Sequence, residues 1–124
     1  MAYVSGFVLA VPAANKEAYV DAAKAAWALF EDYGALSNWE CWEEDVPDGE
    51  LTSFPMAVKR KAGEVVVFSW IIWPDKATSD RCMASAETDP RWEQLEERQT
   101  MPFDGKRMIF GGFTPIFQGG EAAG

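Results

Sequence analysis

The chain has 124 residues, which is the size of one domain and enough to bury a hydrophobic core without a metal or a disulfide. Hydrophobic residues make up 48% of the chain and charged residues 25%, so disordered, collagen-like and low-complexity proteins are excluded. The formal net charge is −9, from 20 acidic and 11 basic residues, and there is no histidine.

The missing histidine removes whole classes of site. No Ser-His-Asp or Cys-His triad can be built, and no zinc, copper, haem or iron site with histidine ligands is available. Acid–base chemistry would have to use Asp, Glu, Lys, Tyr or Cys. The excess of acids argues against nucleic acid and anionic membranes, because both require clustered Lys and Arg. We expect no metal, no cofactor, no nucleic-acid partner and no membrane partner.

The two cysteines and the apolar segments favour a cytoplasmic protein. Cys41 and Cys82 do not form a Cys-x-x-Cys pair, and two buried, reduced thiols are a simpler interpretation than one disulfide. The apolar start of the chain lacks the basic segment of a secretory signal, since its first lysine is Lys16. The longest apolar run, at 65–73, is too short to span a bilayer.

The hydrophobic pattern predicts four strands and three helices. Asn15 is a candidate N-cap of the first helix, Gly34 a candidate stop for it, and Asp75 a candidate cap of the second helix. In chain order the prediction is a strand at 3–11, a helix at 15–33, strands at 36–44 and 65–73, helices at 76–87 and 89–97, and a strand at 108–117.

The segment at 45–63 is harder to interpret. Pro47-Asp48-Gly49 is a turn, and Ser53-Phe54-Pro55 is a second break. A connection of this length is either a functional loop or contains structure that the pattern does not reveal. At the end of the chain, 118–124 is small and rich in glycine, so we expect a single domain at 1–117 followed by a flexible tail.

The order β-α-β-β-α-β predicts an α+β fold of the ferredoxin-like type, with an antiparallel sheet and an extra short helix. In that arrangement the first and third strands are central and the second and fourth are edges. The second strand carries Glu40, Glu43 and Glu44, and charges of this density are typical of an edge.

The predicted sheet is apolar on both faces. In the third strand Val66, Phe68 and Trp70 alternate with Val67 and Ile71. Helices can cover only one face, and the other would be a large exposed apolar patch. A second copy of the sheet is the simplest cover, so we expect a homodimer. The alternative is that the segment at 45–63 and the extra helix cover this face within one chain.

Several stretches carry a resemblance to a known family. They are YVSGFV at 3–8, DVPDG at 45–49, TSFP at 52–55, VVFSWI at 66–71 and MPFDGKRMI at 101–109. Together they resemble the YbaA-like family of uncharacterised bacterial proteins, within the dimeric α/β-barrel superfamily. The resemblance implies a bacterial cytosolic protein with a ferredoxin-like, dimeric α/β-barrel fold. It implies no activity, although the superfamily includes cofactor-free monooxygenases, isomerases and binding proteins.

A ligand site in such a fold needs an apolar pocket with a few polar groups. We expect it in a cleft between the sheet, the segment at 45–63 and the loop at 101–107. There Arg107, with its planar five-donor guanidinium, would anchor a carboxylate or carbonyl. In the alternative, Arg107 only ties its loop to a neighbouring acid and the aromatics are packing. The candidate ligand-binding residues are Glu40, Trp42, Phe54, Trp70, Phe103 and Arg107.

Polar residues in apolar strands need partners if they are buried. Glu40 and Ser69 are two such residues. A pair between Glu40 and Arg107 could form only across a dimer, because the two residues belong to opposite edges of one sheet; in the simpler alternative both are in water.

We interpret the chain as a dimeric small-molecule-binding protein and leave cofactor-free catalysis open. The alternative is a non-catalytic structural dimer without a ligand site. RNA binding ranks last, because the net charge of −9 repels phosphate.

Overall fold

The computed structural model describes residues 1–98 and 102–120. Neighbouring strands are antiparallel throughout the sheet, and the strand order is β2-β3-β1-β4. This order confirms the predicted α+β, ferredoxin-like topology, with β1 and β3 in the centre. The strands are β1 (Tyr3–Pro12), β2 (Ser37–Trp42), β3 (Glu64–Trp73) and β4 (Ile109–Phe113), and the helices are α1 (Lys16–Asp32), α2 (Phe54–Ala57), α3 (Lys76–Ala84) and α4 (Arg91–Arg98).

The start of α1 is held differently from the prediction. Asn15 precedes the helix, but its side chain caps no helical N–H group. Its Nδ2 instead donates to the carbonyl oxygen of Pro102 at 2.9 Å, which ties α1 to the loop before β4. The two other predicted boundaries are confirmed. Gly34 follows α1 with φ of +110°, a conformation that glycine adopts without steric cost, and Asp75 accepts a hydrogen bond from the N–H of Thr78 at 2.8 Å.

The segment at 45–63 contains a helix that the pattern did not reveal. The side chain of Ser53 accepts a hydrogen bond from the N–H three residues later, and Pro55 stands in the first turn of α2. The stretch predicted as a break is therefore a helix start. Val58 follows α2 and is fully buried against Ala10 and Val66.

The second predicted helix and the last predicted strand end earlier than predicted. The second predicted helix passes from α3 into a 3₁₀ turn at Ser85–Glu87. Strand β4 ends at Phe113, shortly before Pro115, which has no N–H group to donate to a strand ladder. Part of the predicted tail, at 121–124, lies outside the described residues, as does Met101 of the predicted loop.

The strand register decides which side chains share a face. Odd-numbered residues of β1 and β3 lie on the same side as even-numbered residues of β2 and β4, and we call this side the helix face. Tyr19 of α1 is buried there against Leu9 and Val67. Farther along, Trp73 packs against aromatic side chains of α1 and α4, and its Nε1 donates to Ser5 Oγ at 3.0 Å. The core therefore lies between this face and the helices.

The other side of the sheet, which we call the open face, is also apolar, as predicted. Part of the segment at 45–63 covers one end of it, since Val58 is buried there and the ring of Phe54 lies 5.8 Å from that of Phe68. Trp39, Phe68 and Phe113 nevertheless remain between 46% and 60% exposed. The segment thus covers this face only in part. In the described part of the chain, no helix is long and apolar enough to cross a membrane.

Candidate functional site

The side chains predicted to share a ligand site lie on two faces of the sheet. Glu40 and Trp42 are on the helix face, and Phe103 packs against the same core. Trp70 and Phe54 are on the open face. The sheet separates the two groups, so one cleft of this chain does not contain them all.

Arg107 belongs to an ion-pair network at the start of β4. Its two terminal nitrogens donate to the carboxylate of Glu64 at 2.8 and 2.6 Å, and its Nε donates to Asp104 at 3.0 Å. One terminal nitrogen also donates to the carbonyl oxygen of Lys59 at 2.9 Å. The segment at 45–63 and the turn at 104–107 therefore meet, as predicted, but through this network. Arg107 ties its loop to a neighbouring acid, and within this chain it does not pair with Glu40.

This network changes the titration of Glu64. Hydrogen bonds from the Arg107 guanidinium are the main cause that lowers the pKa of Glu64 from 4.5 to about 2, against the opposing effect of burial. Both side chains are largely buried, at 14% exposed for Arg107 and 10% for Glu64. The contact is thus better shielded from solvent than an ordinary surface ion pair.

Glu40 is the centre of a different polar cluster, on the helix face. Its Oε1 accepts a hydrogen bond from the hydroxyl of Tyr19 at 2.6 Å. Its Oε2 accepts from Ser69 Oγ and from Asn38 Nδ2, each at 2.9 Å. Tyr19 and Ser69 are buried, at 8% and 2% exposed, whereas Glu40 is exposed. Groups that reach out of the core therefore fix an exposed carboxylate in one orientation.

Tyr19 is a donor in this cluster. Burial is the largest cause that raises the pKa of Tyr19 above its ordinary value of 10, followed by the negative charge of Glu40 and the hydrogen bond to it. The phenol therefore stays protonated at neutral pH. The proton of the Tyr19–Glu40 hydrogen bond belongs to the tyrosine, and the carboxylate is the acceptor.

A groove of about 540 Å³ opens beside Glu40, between α1 and the start of β2. Its volume lies within the range of about 300–1,000 Å³ that is typical of small-molecule sites. The apolar lining residues are Val20, Ala23, Trp27 and Leu36, and the polar ones are Lys24, Ser37, Asn38 and Glu40. An apolar wall with a few polar groups is the composition that binds small organic molecules.

Sequence reasoning named Glu40 as a candidate ligand-binding residue but did not predict the groove beside it. Tyr19 fits the apolar stripe of α1, and its spacing does not show that the hydroxyl reaches the sheet. Ser69 indicated that a polar partner must lie nearby, because it is a polar residue in the most apolar strand. Trp42 lies outside the groove lining. The centre of the Trp42 ring is 5.5 Å from the Nζ of Lys16.

The described residues contain no group of three or more Cys, Asp or Glu side chains that could hold a metal ion. Cys41 and Cys82 are free thiols. Burial raises the pKa of the Cys82 thiol to about 11, which leaves it in the unreactive protonated form.

The Glu64–Arg107 contact predicts a difference in acid stability. Between about pH 4.5 and pH 2 the unfolded chain binds a proton at Glu64 that the native chain does not, so stability falls as acid is added. We expect Glu64→Gln to lower the free energy of unfolding by on the order of 1–3 kcal/mol above about pH 5. This difference in free energy, which we call the gap to wild type, should become smaller toward pH 2. Urea unfolding at a series of pH values measures the gap. Glu50→Gln, at an exposed position, should follow wild type throughout, and a gap for Glu64→Gln that does not change with pH would contradict the assignment.

Two solved structures share the fold. One is a variant of SnoaB, a cofactor-independent oxygenase from Streptomyces nogalater, with a TM-score of 0.57, 18% identity and coverage of 94% of this chain and 95% of that one. The other is a dimeric ferredoxin-like protein from an uncultured marine organism, with a TM-score of 0.56, 12% identity and coverage of 94% and 97%. At these identities the similarity shows the fold alone.

Sequence comparison shows a closer relationship. The chain is 53% identical over 116 residues to a protein of Escherichia coli (strain K12) described as "Uncharacterized protein YbaA", covering 94% of this chain and 97% of the relative. A protein of Shigella flexneri with the same description matches to the same extent. Residues 2–105 match the family described as "Protein of unknown function (DUF1428)". The chain therefore belongs to this family, the YbaA-like family that its sequence motifs resemble.

Proposed function

We propose that this protein is a homodimer that binds a small organic molecule in the groove between α1 and β2, with Glu40 as the polar anchor. The observation that carries the proposal is the arrangement of the Glu40 carboxylate beside an open groove. A carboxylate has about four acceptor positions, and Tyr19, Ser69 and Asn38 occupy three of them. One position remains for a hydroxyl or amino group of a ligand, and the carboxylate is already oriented to receive it.

This proposal moves the ligand site away from the predicted cleft. It retains Glu40 and removes Arg107, because four of the five guanidinium N–H groups already donate to protein oxygens. Phe103 is part of the core beneath Tyr19, where the two rings are 5.8 Å apart. Phe54 and Trp70 belong to the surface that we assign to the dimer.

The open face supports the homodimer. Trp39 stacks on Trp70 with ring centres 5.9 Å apart and an angle of 12° between the planes, and Phe68 lies beside Trp70 at 5.4 Å. Apart from Glu64 at its end, the strand residues on this face are uncharged. An apolar surface of this extent on the flat side of a sheet is suited to packing against its own copy.

We do not propose a nucleic-acid partner. The net charge is −9, and Arg60, Arg91 and Arg107 are engaged with carboxylates of the chain itself. The net charge repels phosphate, and these three arginines are already neutralised by their carboxylate partners. The free thiols of Cys41 and Cys82 suit the cytoplasmic location that we continue to propose.

The dimer is tested by light scattering at micromolar concentration. We expect about twice the chain mass of 13.8 kDa for wild type. Phe68→Glu places a charge in the middle of the open face and should yield a folded monomer, because an unpaired charge is costly to bury in an interface. Met83→Glu changes an exposed apolar residue on α3 and should remain dimeric. A monomeric wild type, or equal behaviour of the two variants, would refute the assignment.

The ligand site is tested by a fragment screen that uses ligand-observed NMR and thermal shift. Compounds with an apolar body and a hydroxyl or amino group should bind wild type. They should bind Glu40→Gln about tenfold more weakly, because a hydrogen bond to a charged group contributes about 1.5–3 kcal/mol. Glu17→Gln removes an exposed acid of α1 outside the groove and should bind like wild type. If no fragment binds wild type, or if all bind Glu40→Gln equally, Glu40 is not an anchor.

Cofactor-free catalysis is a second candidate, favoured by the position of Glu40 as an oriented carboxylate within reach of a ligand donor. SnoaB, one of the proteins that share the fold, is described as cofactor-independent. A general base would take an acidic proton from a bound compound and return a solvent proton. We therefore expect fragments with an acidic C–H to exchange it for deuterium in D₂O with wild type and to lose this exchange with Glu40→Gln. Binding without exchange would limit the protein to binding.

A further inference from the structure

We infer that the ligand of the groove carries an anionic group that Lys24 binds, in addition to the donor that reaches Glu40. The inference rests on the proposed function and names the chemical class of the ligand. That class is a hydroxyl- or amino-substituted acid with a compact apolar body, such as an aromatic ring, between its two polar ends.

The first observation is the position of Lys24. It is the basic residue among those that line the groove, and its side chain is exposed. It lies one helical turn after Val20 and one position after Ala23, so apolar wall residues adjoin it on α1. An anionic group held by Lys24 would therefore leave the rest of the ligand in contact with apolar side chains.

The second observation is that Lys24 lacks a partner. Its side chain makes no hydrogen bond or ion pair with any of the residues that the structure describes. Asp21 lies three residues earlier on α1, a spacing at which ion pairs form, yet the two side chains are not paired. Four basic side chains form ion pairs in the described part of the chain, in Arg60–Glu43, Lys76–Asp80, Arg91–Asp89 and Arg107–Glu64. Within that part, Lys24 shares the lack of an ion pair with Lys16, Lys59, Lys61 and Lys106, and of these lysines it is the one that lines the groove.

The third observation is that the two polar ends lie on different walls of the groove. Lys24 belongs to α1 and Glu40 to β2, and apolar side chains line the groove with them. A ligand that reaches both groups therefore needs an apolar body, such as a ring, between its polar ends. The lining residue Trp27 is a suitable neighbour for such a ring, because aromatic rings pack favourably in offset or edge-to-face geometry.

Three related probes separate the two contacts: 4-hydroxyphenylacetate, its neutral amide, and phenylacetate without the hydroxyl. Binding of each is measured by NMR titration to the intact wild-type protein, to Lys24→Gln and to Lys24→Arg. Lys106→Gln is the control, because it removes one positive charge at an exposed turn outside the groove. Thermal unfolding of every variant verifies that the fold is retained.

We expect the hydroxy acid to bind wild type about fivefold more tightly than its amide at low salt, and phenylacetate to bind more weakly than the hydroxy acid. The preference for the acid should disappear in Lys24→Gln, persist in Lys24→Arg and in the control, and decrease with added salt. Equal affinity of acid and amide for wild type would overturn the inference, as would an acid preference that survives in Lys24→Gln.

These outcomes are distinct from a failure of the proposed function. If none of the three probes binds but neutral fragments bind in a manner that depends on Glu40, the anionic class is wrong and the groove remains a ligand site. If neither the probes nor any fragment binds wild type, both the inference and the proposed function fail.

Discussion

The pairing of β1 with β3 is the constraint on which the other features depend. All ten residues of each strand are paired, from Tyr3 opposite Trp73 to Pro12 opposite Glu64. Because side chains alternate along a strand, this register together with the β2–β3 and β1–β4 registers assigns every residue of the sheet to one face. A slip of one residue between β1 and β3 would place Leu9 and Val67, which are now both buried beneath the helices, on opposite faces of the sheet.

The candidate site lies at the edge of the sheet, between α1 and the start of β2. Strand β2 is an edge, and the charges of Glu40 in the strand and of Glu43 and Glu44 just after it discourage another strand from pairing with it. At this edge α1 reaches the sheet through Tyr19, which is buried against the core and also holds Glu40. The groove lies between α1 and the start of β2, and Leu36 is one of its lining residues. At this edge of the sheet the carboxylate of Glu40 therefore lies beside apolar side chains.

The fold could be predicted from the sequence because apolar strand runs, turn residues and helix periodicity are local properties. The contacts that build the site are not local. The helical spacing of Tyr19 showed that it faces the core but could not show which polar group its hydroxyl meets. Asn15 has the residue type of an N-cap, yet its side chain bonds to Pro102, 87 residues away. Phe54 and Phe103 both adjoin a proline, but the sequence does not state on which side of the sheet each loop passes.

Alternation along β2 also explains how one short strand can serve two proposed sites. Asn38 and Glu40 point to the helix face and the groove, whereas Trp39 points to the open face and stacks on Trp70. Because the sheet lies between the two surfaces, a second copy on the open face would leave the groove accessible. Dimerisation and ligand binding would then be coupled only through the backbone of β2. A substitution at Trp39 and one at Glu40, on adjacent residues, should therefore affect different properties of the protein.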